Sequence, residues 1–585
     1  MKALKHLNKY FYKYRFRLII GVIITVFANI FKMYTPRFVG DSINVVSDRL
    51  GGKITFEIFK AELIANISYI LGAAVVAGIF IFLMRQTIIN VSRYIEYDLK
   101  NEIYQHYQVL SQNFYKSNRT GDLMNRISED VGKVRMYVGP ALMYTINTIT
   151  LFVVALIYMV STAPKLTLYT LLPLPILSVS IYKLSRLINK RSTIVQESLS
   201  TLSTYTQETF SGISVIKSYG IETRINNEFE GLSVENRQKQ INLTKVQALF
   251  FPLMILLIGI SNLIVIYVGG MQYMNGEIEN IGTIAEFIIY VNMLTWPVAT
   301  VGWVTSLVQQ AEASQERINE FLKTEPEIKN HTATETPIKG DIEFKNVSFT
   351  YPDTNIEALK EVSFKINSGE TLAILGKTGS GKSTILDLVG RLYDIKQGNI
   401  LIDNQKITDL NLNNLRESIG YVPQDAFLFS DTIKNNIKFG KEDATEEDVI
   451  EAAKNARVHK NIVGFKKGYD TILGERGITL SGGQKQRVSI ARAIIKKPDI
   501  LLFDDCLSAV DTETEEKILK NLNKLTKDKT TVIVSHRVSS AKNADTIIVL
   551  EDGRVIQTGN HNTLVNTEGY YKELYNKQLS EKELS

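Results

Sequence analysis

The segment Gly376-Lys377-Thr378-Gly379-Ser380-Gly381-Lys382-Ser383-Thr384 has the spacing G-x-x-x-x-G-K-[ST], which is suited to gripping phosphate. It follows an apolar β-like run at 371–375 and precedes a helical run at 385–392, the strand-loop-helix context that this chemistry requires. Glycines let backbone N–H groups curl around phosphate oxygens, and the helix N-terminus adds the positive end of its dipole. Lys382 can then reach the β- and γ-phosphates of a nucleotide, and the Ser383 hydroxyl can join a Mg²⁺ shell. A second element, Ile500-Leu501-Leu502-Phe503-Asp504-Asp505, is an apolar strand ending in paired carboxylates. Acid at the mouth of a sheet holds a metal beside the phosphates, so Asp504 is the expected Mg²⁺ partner. Alone, that run would read as a strand and an Asp turn; beside the phosphate loop it reads as part of a nucleotide site.

These residues need a sheet to position them. From residue 341 onward short β-like runs alternate with helical ones, the pattern of an α/β domain. Upstream, residues 324–340 are polar and aperiodic and read as a linker. Residues 1–323 are different again. A bilayer core needs about 20 mostly apolar residues at helical rise, and six such runs are expected to span at 16–34, within 63–89, 141–160, 166–184, 250–267 and 281–304. Residues 4–14 interleave Lys and Tyr with apolar positions, as in a helix lying in the membrane interface. Residues 35–61 read as an outer connection and 161–165 as a tight hairpin; 269–280, with Glu277 and Glu279 but no Lys or Arg, reads as external. The charged stretches 92–137 and 185–246 read as cytoplasmic extensions of the spanning helices.

The formal charge of +6 does not call for nucleic acid, because much of the early Lys and Arg flanks apolar runs, where topology places it. The single cysteine, Cys506, excludes an intrachain disulfide framework and a Cys-based zinc site. No removable signal peptide is expected, since the first apolar run lacks a small-residue cleavage pattern. The fold class is thus multidomain: an all-α six-helix transmembrane domain at 1–323, a linker at 324–340 and an α/β P-loop NTPase domain at 341–585.

Leu480-Ser481-Gly482-Gly483-Gln484, shortly before the acidic strand, closely resembles the signature of ABC ATPases. The resemblance extends along the whole chain and is that of a type IV exporter half-transporter. It implies ATP and Mg²⁺ as cofactors, with Tyr351 stacking on adenine, Gln424 as the Q-loop glutamine near Mg²⁺, Ser508-Ala509-Val510-Asp511 as the D-loop and His536 as the switch histidine. Gly474-Glu475-Arg476-Gly477 resembles the exporter segment near the membrane-domain contacts. Arg119-Thr120-Gly121-Asp122 resembles the first intracellular loop, with its coupling helix, and 206–222 the second.

The resemblance further implies two ATPase domains facing head to tail, each nucleotide lying between one P-loop and the Ser481-Gly482-Gly483 backbone of the other, with Gln484 completing the motif. A second half-transporter is therefore the expected partner, together with membrane lipid and an unknown transported substrate. A bacterial inner membrane is implied, with the N-terminus and the ATPase domain cytoplasmic. Arg85 and Glu286 become candidates for a substrate cavity, against a plain reading as snorkelling or paired residues.

Most members have Glu after the metal-binding Asp, as general base or organiser of the attacking water; here Asp505 stands there, one methylene shorter. Two arrangements follow. Either the chain is the degenerate partner of a heterodimer, its intact signature serving the other subunit's P-loop, or it forms a homodimer in which Asp505 and His536 support slower turnover. Drug export, lipid or lipid-linked-glycan flipping, and a non-transporting regulatory ATPase are the functions this frame leaves to weigh.

Overall fold

The computed structural model describes residues 2–585 apart from 475, 476, 478, 479, 508–511, 526, 527, 584 and 585. The side chains at 174, 177, 178, 295, 296, 298, 299, 512, 513, 516, 522–525 and 581–583 also lie outside the description. The chain divides into two compact units, Met1–Tyr107 with Gly121–Thr324, and Gln108–Thr120 with Glu325–Ser585.

The first unit is helical. Four helical stretches among the described residues are long and apolar enough to cross a membrane: Arg15–Leu50, Phe56–Val109, Thr120–Thr162 and Glu222–Met274. The spans expected at 166–184 and 281–304 fall in the helices Pro164–Leu171, Pro173–Ser211 and Gly282–Leu322. The hairpin expected at 161–165 is present: Ala163 leaves the helical region at φ −151°, and Pro164 opens the next helix, where its missing N–H costs nothing.

The connection expected at 35–61 is much shorter than that reading. The first spanning helix runs on to Leu50 and the next begins at Phe56. Gly40, one of the residues that suggested a loop, is a packing position inside the helix, and the turn itself is confined to the residues around Gly51 and Gly52. A Cβ on Gly40 would come within 2.9 Å of the Gly282 carbonyl oxygen, and one on Gly282 within 2.0 Å of the Gly40 oxygen. Backbone meets backbone there, and the Asn44 side chain accepts from the Gly282 N–H at 2.7 Å. Likewise the helix Phe250–Met274 extends into the connection expected at 269–280, whose remainder is tied to the hairpin by a Glu277–Lys165 ion pair at 3.0 Å.

Residues 4–14, expected at the membrane interface, bury Leu4, Leu7 and Tyr10 against the protein. Lys9 and Tyr10 donate to Glu102, Lys13 donates to Asp98 at 2.7 Å, and the Ala3 carbonyl accepts from Asn319. The buried carboxylate of Asp130 takes a two-pronged contact from Arg317, the geometry that suits guanidinium best.

The second unit holds the α/β fold. Its antiparallel sheet has the strand order Glu357–Ile366, Ile342–Thr350, Gln397–Ile402, Gln405–Lys406. Ile342 and Phe344 and, past a register shift, Val347 and Phe349 point into a core that also takes Leu359 and Ile402. The other sheet has the order Arg554–Gly559, Thr546–Glu551, Thr371–Gly376, Thr530–Val534, Ile500–Asp504, Ile419–Val422, parallel except for its first member. Ile500–Asp504 and Thr530–Val534 are buried at every position, as expected of strands covered on both faces. Register sets Ile374 beside Val534 and Val534 beside Asp504, so the phosphate loop and the acidic pair emerge from the same carboxyl edge. That edge is where open α/β sheets bind ligands.

The close Gly40–Gly282 contact yields a prediction. Gly282→Val has no room beside the Gly40 carbonyl, and overpacking of this kind costs about 1–3 kcal/mol. Its thermal midpoint in detergent, read by fluorescence-detected size exclusion, should fall by several degrees, whereas Gly72→Val, in open space, should leave it unchanged.

Candidate nucleotide site

The phosphate loop takes a shape that only glycine allows. Gly376 has φ +149°, and a Cβ there would lie 2.2 Å from the Leu550 carbonyl oxygen. Gly381, φ +98°, caps the helix Lys382–Val389 and leaves no room for a Cβ against the Ala358 carbonyl, 2.4 Å away. The loop therefore closes into a cradle, and Lys382 lies inside it. Its buried Nζ donates to the carbonyls of Gly376 at 2.9 Å and Lys377 at 2.8 Å. Burial holds this ammonium below the usual lysine range, while Asp505 and Asp504 oppose the shift. Lys377 points elsewhere, to Glu551 at 2.8 Å, so it offers the cradle its backbone.

Asp504 ends its strand buried, and its Oδ1 accepts from the Ser383 hydroxyl at 2.9 Å. Burial pushes this carboxyl above the ordinary range, and the Ser383 bond and Lys382 pull it back. Asp505 follows in the left-handed region at φ +39°, its N–H donating to the Val534 carbonyl at 3.0 Å. Asp is among the few non-glycine residues that visit this region readily, and such outliers cluster at functional sites. His536 lies one residue past the neighbouring strand's continuation; burial first, and Lys382 second, keep its imidazole below the usual histidine range, so that it is neutral at pH 7.

These groups surround one cavity of about 540 Å³. Thr378, Gly379, Gly381, Lys382, Ser383 and Thr384 form one side, and Gln424, Asp504, Asp505 and His536 another. Tyr351 stands at the rim, with its hydroxyl 3.0 Å from Thr384 Oγ1. The volume suits a nucleotide-sized ligand. Ser380, behind the loop, is buried, and its hydroxyl has no hydrogen-bond partner among the described residues. A buried hydroxyl without a partner is costly, and this one lies beside the cavity, outside its lining. A hydroxyl, a carboxylate and the Gln424 amide around the same space are oxygen donors of the kind Mg²⁺ takes together with phosphate.

Ser481, Gly482, Gly483 and Gln484 do not join this cavity. They open the helix Gly482–Ile495, where Ser481 and Gln484 form a reciprocal capping box, the Ser481 N–H donating to Gln484 Oε1 at 3.0 Å. Ser481 and Gly482 are exposed. One turn later, buried Gln486 donates to the Gln424 carbonyl, linking signature helix and Q-loop. The D-loop, 508–511, and the residues Glu475 and Arg476 lie outside the described residues.

Sequence reading missed part of the wall. Asp552 and Gly553, φ +46° and +81°, form the tight turn between Thr546–Glu551 and Arg554–Gly559 and line the cavity. An Asp-Gly pair between two β-like runs is the signal that could have found them. It also missed Lys116. The helix Gln112–Ser117 belongs to the α/β unit, and Lys116 Nζ sits 4.8 Å from the Tyr351 ring centre and 5.0 Å from that of Tyr393. Asn113 and Ser111 bond Glu327 at 2.8 and 3.1 Å, fixing the segment. Asn118 ends that helix in an extended conformation, and a second short helix, Thr120–Asn125, takes in most of the residues 119–122 that resembled the first loop.

An α/β unit with a nucleotide cavity at its sheet edge, in one chain with membrane-spanning helices, defines an ATP-driven membrane transporter. The chain belongs to the ABC transporter family: residues 18–298 match the ABC transporter transmembrane region and 359–508 match the ABC transporter domain. It is similar to the Bacillus subtilis "Probable multidrug resistance ABC transporter ATP-binding/permease protein YheI", 35% identical over 98% of this chain and 97% of that protein. Escherichia coli "Multidrug resistance-like ATP-binding protein MdlA" is 32% identical over 99% and 97%. Bacillus subtilis "Uncharacterized ABC transporter ATP-binding protein YknU" is 40% identical over 82% and 83%. The chain is an integral membrane half-transporter of the exporter type; it binds ATP, couples its hydrolysis to transport, and dimerises with another ABC subunit.

The site carries a pH signature. Burial raises Asp387, on the helix after the phosphate loop, from 3.8 to about 6, against the pull of Lys116. Between pH 3.8 and about 6 the folded chain retains a proton that the unfolded chain has lost, so stability falls as pH rises through that window. Asp387→Asn should gain roughly 1–3 kcal/mol over wild type at pH 7 and lose most of that advantage at pH 4, as read from thermal midpoints at the two pH values.

Proposed function

We propose that the chain exports an amphipathic or hydrophobic substrate across a bacterial inner membrane, as the degenerate-site subunit of a heterodimer. Residues 1–323 form the six-span membrane domain, 324–340 the linker and 341–585 the ATPase domain, with the N-terminus and the ATPase cytoplasmic. The carrying observation is that the cavity gathers the phosphate loop, Asp504, Asp505, Gln424 and His536, whereas the intact signature, Ser481 to Gln484, lies outside that cavity with Ser481 and Gly482 exposed. Such a half site is complete only when another subunit's signature helix presents its N–H groups to the γ-phosphate. The names of YheI and MdlA support a multidrug range of substrates.

In this reading Gly376 to Thr384 cradle the phosphates through backbone N–H groups, and Lys382 leaves its loop carbonyls for the β- and γ-oxygens. Tyr351 stacks on adenine. Ser383, Asp504 and Gln424 hold Mg²⁺, which when bound neutralises charge on the phosphate oxygens. Asp505 accepts the proton of the attacking water, Gln424 orients that water, and neutral His536 donates to the γ-phosphate. The closed dimer lasts while the γ-phosphate bridges both subunits, and its loss lets the helices relax.

Asp505 reaches one methylene less far than the Glu usual in this family, which weakens the proton-accepting step and supports the heterodimer, where the other subunit supplies the faster site. A homodimer is favoured by one observation: His536 is present and lines the cavity. The variant Asp505→Glu separates them. In proteoliposomes the purified chain alone should hydrolyse ATP weakly, and Asp505→Glu should raise the rate about tenfold or more. Brisk turnover by the lone wild-type chain, unchanged by the substitution, would rule out the degenerate subunit and leave the homodimer.

A further inference from the structure

Among the spanning helices a second cavity, of about 140 Å³, is lined by Asn29, Lys32, Met84, Arg85, Tyr144 and Asn147, together with small and apolar neighbours. Its charged lining is wholly cationic. Lys32 and Arg85 stand on consecutive helices, Arg15–Leu50 and Phe56–Val109, within stretches apolar enough to cross a membrane. Neither makes an ion pair among the described residues, and no Asp or Glu lines the space. Unpaired cations at such positions are expensive in hydrocarbon and are kept where they face water, a partner or a ligand.

The polar side of the cavity is built. Buried Asn29 donates to Asn147 Oδ1 at 3.1 Å and to the Thr25 carbonyl at 2.9 Å, which fixes both amides at the wall. Pro36 provides no N–H for the carbonyl of Lys32, one turn before it, so the backbone there is freed at the same level. Met84 and Met143 also line the space, and their unbranched side chains adapt to irregular apolar partners. Tyr144 packs edge-on against Trp303, ring centres 5.4 Å apart, on the last helix of the unit. The space is smaller than the ~300–1,000 Å³ that holds a whole drug-sized ligand. It fits a headgroup whose tail lies outside along apolar surface.

The geometry points to a binding subsite for the anionic headgroup of an amphiphile, a phosphate or carboxylate on a hydrocarbon tail, held between Lys32 and Arg85. This rests on the exporter reading and narrows its substrate class. Arg85 gives the fork that suits phosphate or carboxylate oxygens in pairs, and Lys32 adds a point charge. A hydrophobic cation would meet two like charges there.

The test uses the full chain with Trp296→Phe, leaving Trp303 as its only tryptophan, in phosphatidylcholine nanodiscs. Brominated dodecyl phosphate should quench Trp303 saturably. Lys32→Gln and Arg85→Gln should each raise the half-saturating concentration about tenfold, the loss expected when one charge-assisted contact is removed. Excess dodecyltrimethylammonium should not compete. Competition by phosphatidylglycerol placed in the disc identifies a lipid as the source of the headgroup, and its absence identifies a free amphiphile. Equal competition by the cation, or undiminished binding by the double variant, overturns the proposal; so does a double variant that keeps amphiphile affinity but loses dimerisation, since the charges would then serve a partner's acids. ATP affinity, measured in the same discs, belongs to the transporter reading and stands or falls separately.

Discussion

Phosphate charge has to be held without water, and the rest of the α/β unit follows from that constraint. Backbone N–H groups can converge on one anion only if the chain turns through conformations closed to side chains, which is why Gly376 and Gly381 sit where a Cβ would strike the carbonyls of Leu550 and Ala358. The turn in turn needs a rigid strand before it and a helix after it. Strands buried at every residue supply the rigidity, and their register brings Gly376, Asp504 and His536 to one edge. Lys382, drawn into the cradle by two carbonyls, completes a site whose cation is already desolvated.

The residue proposed to stack on adenine, Tyr351, also has a neighbour from residues 108–120. Residues 108–120 fold with the α/β unit, and Lys116 lies over the ring of Tyr351, held by a segment anchored through Glu327. A cation over an aromatic face is a modest interaction, of roughly 0.5–2 kcal/mol, yet it sits on the residue assigned to adenine.

Much of this was legible in the sequence because its signals are local. The phosphate loop, the acidic strand and the alternation of β-like and helical runs each depend on near neighbours, and the structure brings their residues to one cavity. The connection at 35–61 was misread because Gly40, Asp41 and Ser42 carry turn-forming chemistry, whereas in the fold Gly40 serves a backbone-to-backbone contact with Gly282, far away in sequence. Lys116 and Asp387 were missed for a related reason: their environment arises only when residues 108–120 meet the helix after the phosphate loop. The signature Ser481 to Gln484 was recognised from its resemblance, but its place outside the cavity, with Ser481 and Gly482 exposed, is a three-dimensional fact that no local pattern encodes.

Everything returns to the grip on phosphate, and the affinity of the full-length protein for ATP after Lys382→Ala measures it most directly. Equilibrium binding of a fluorescent ATP analogue in nanodiscs should weaken at least tenfold, with the folded helical content unchanged. Undiminished affinity in a folded variant would contradict the assignment of this loop as the nucleotide site.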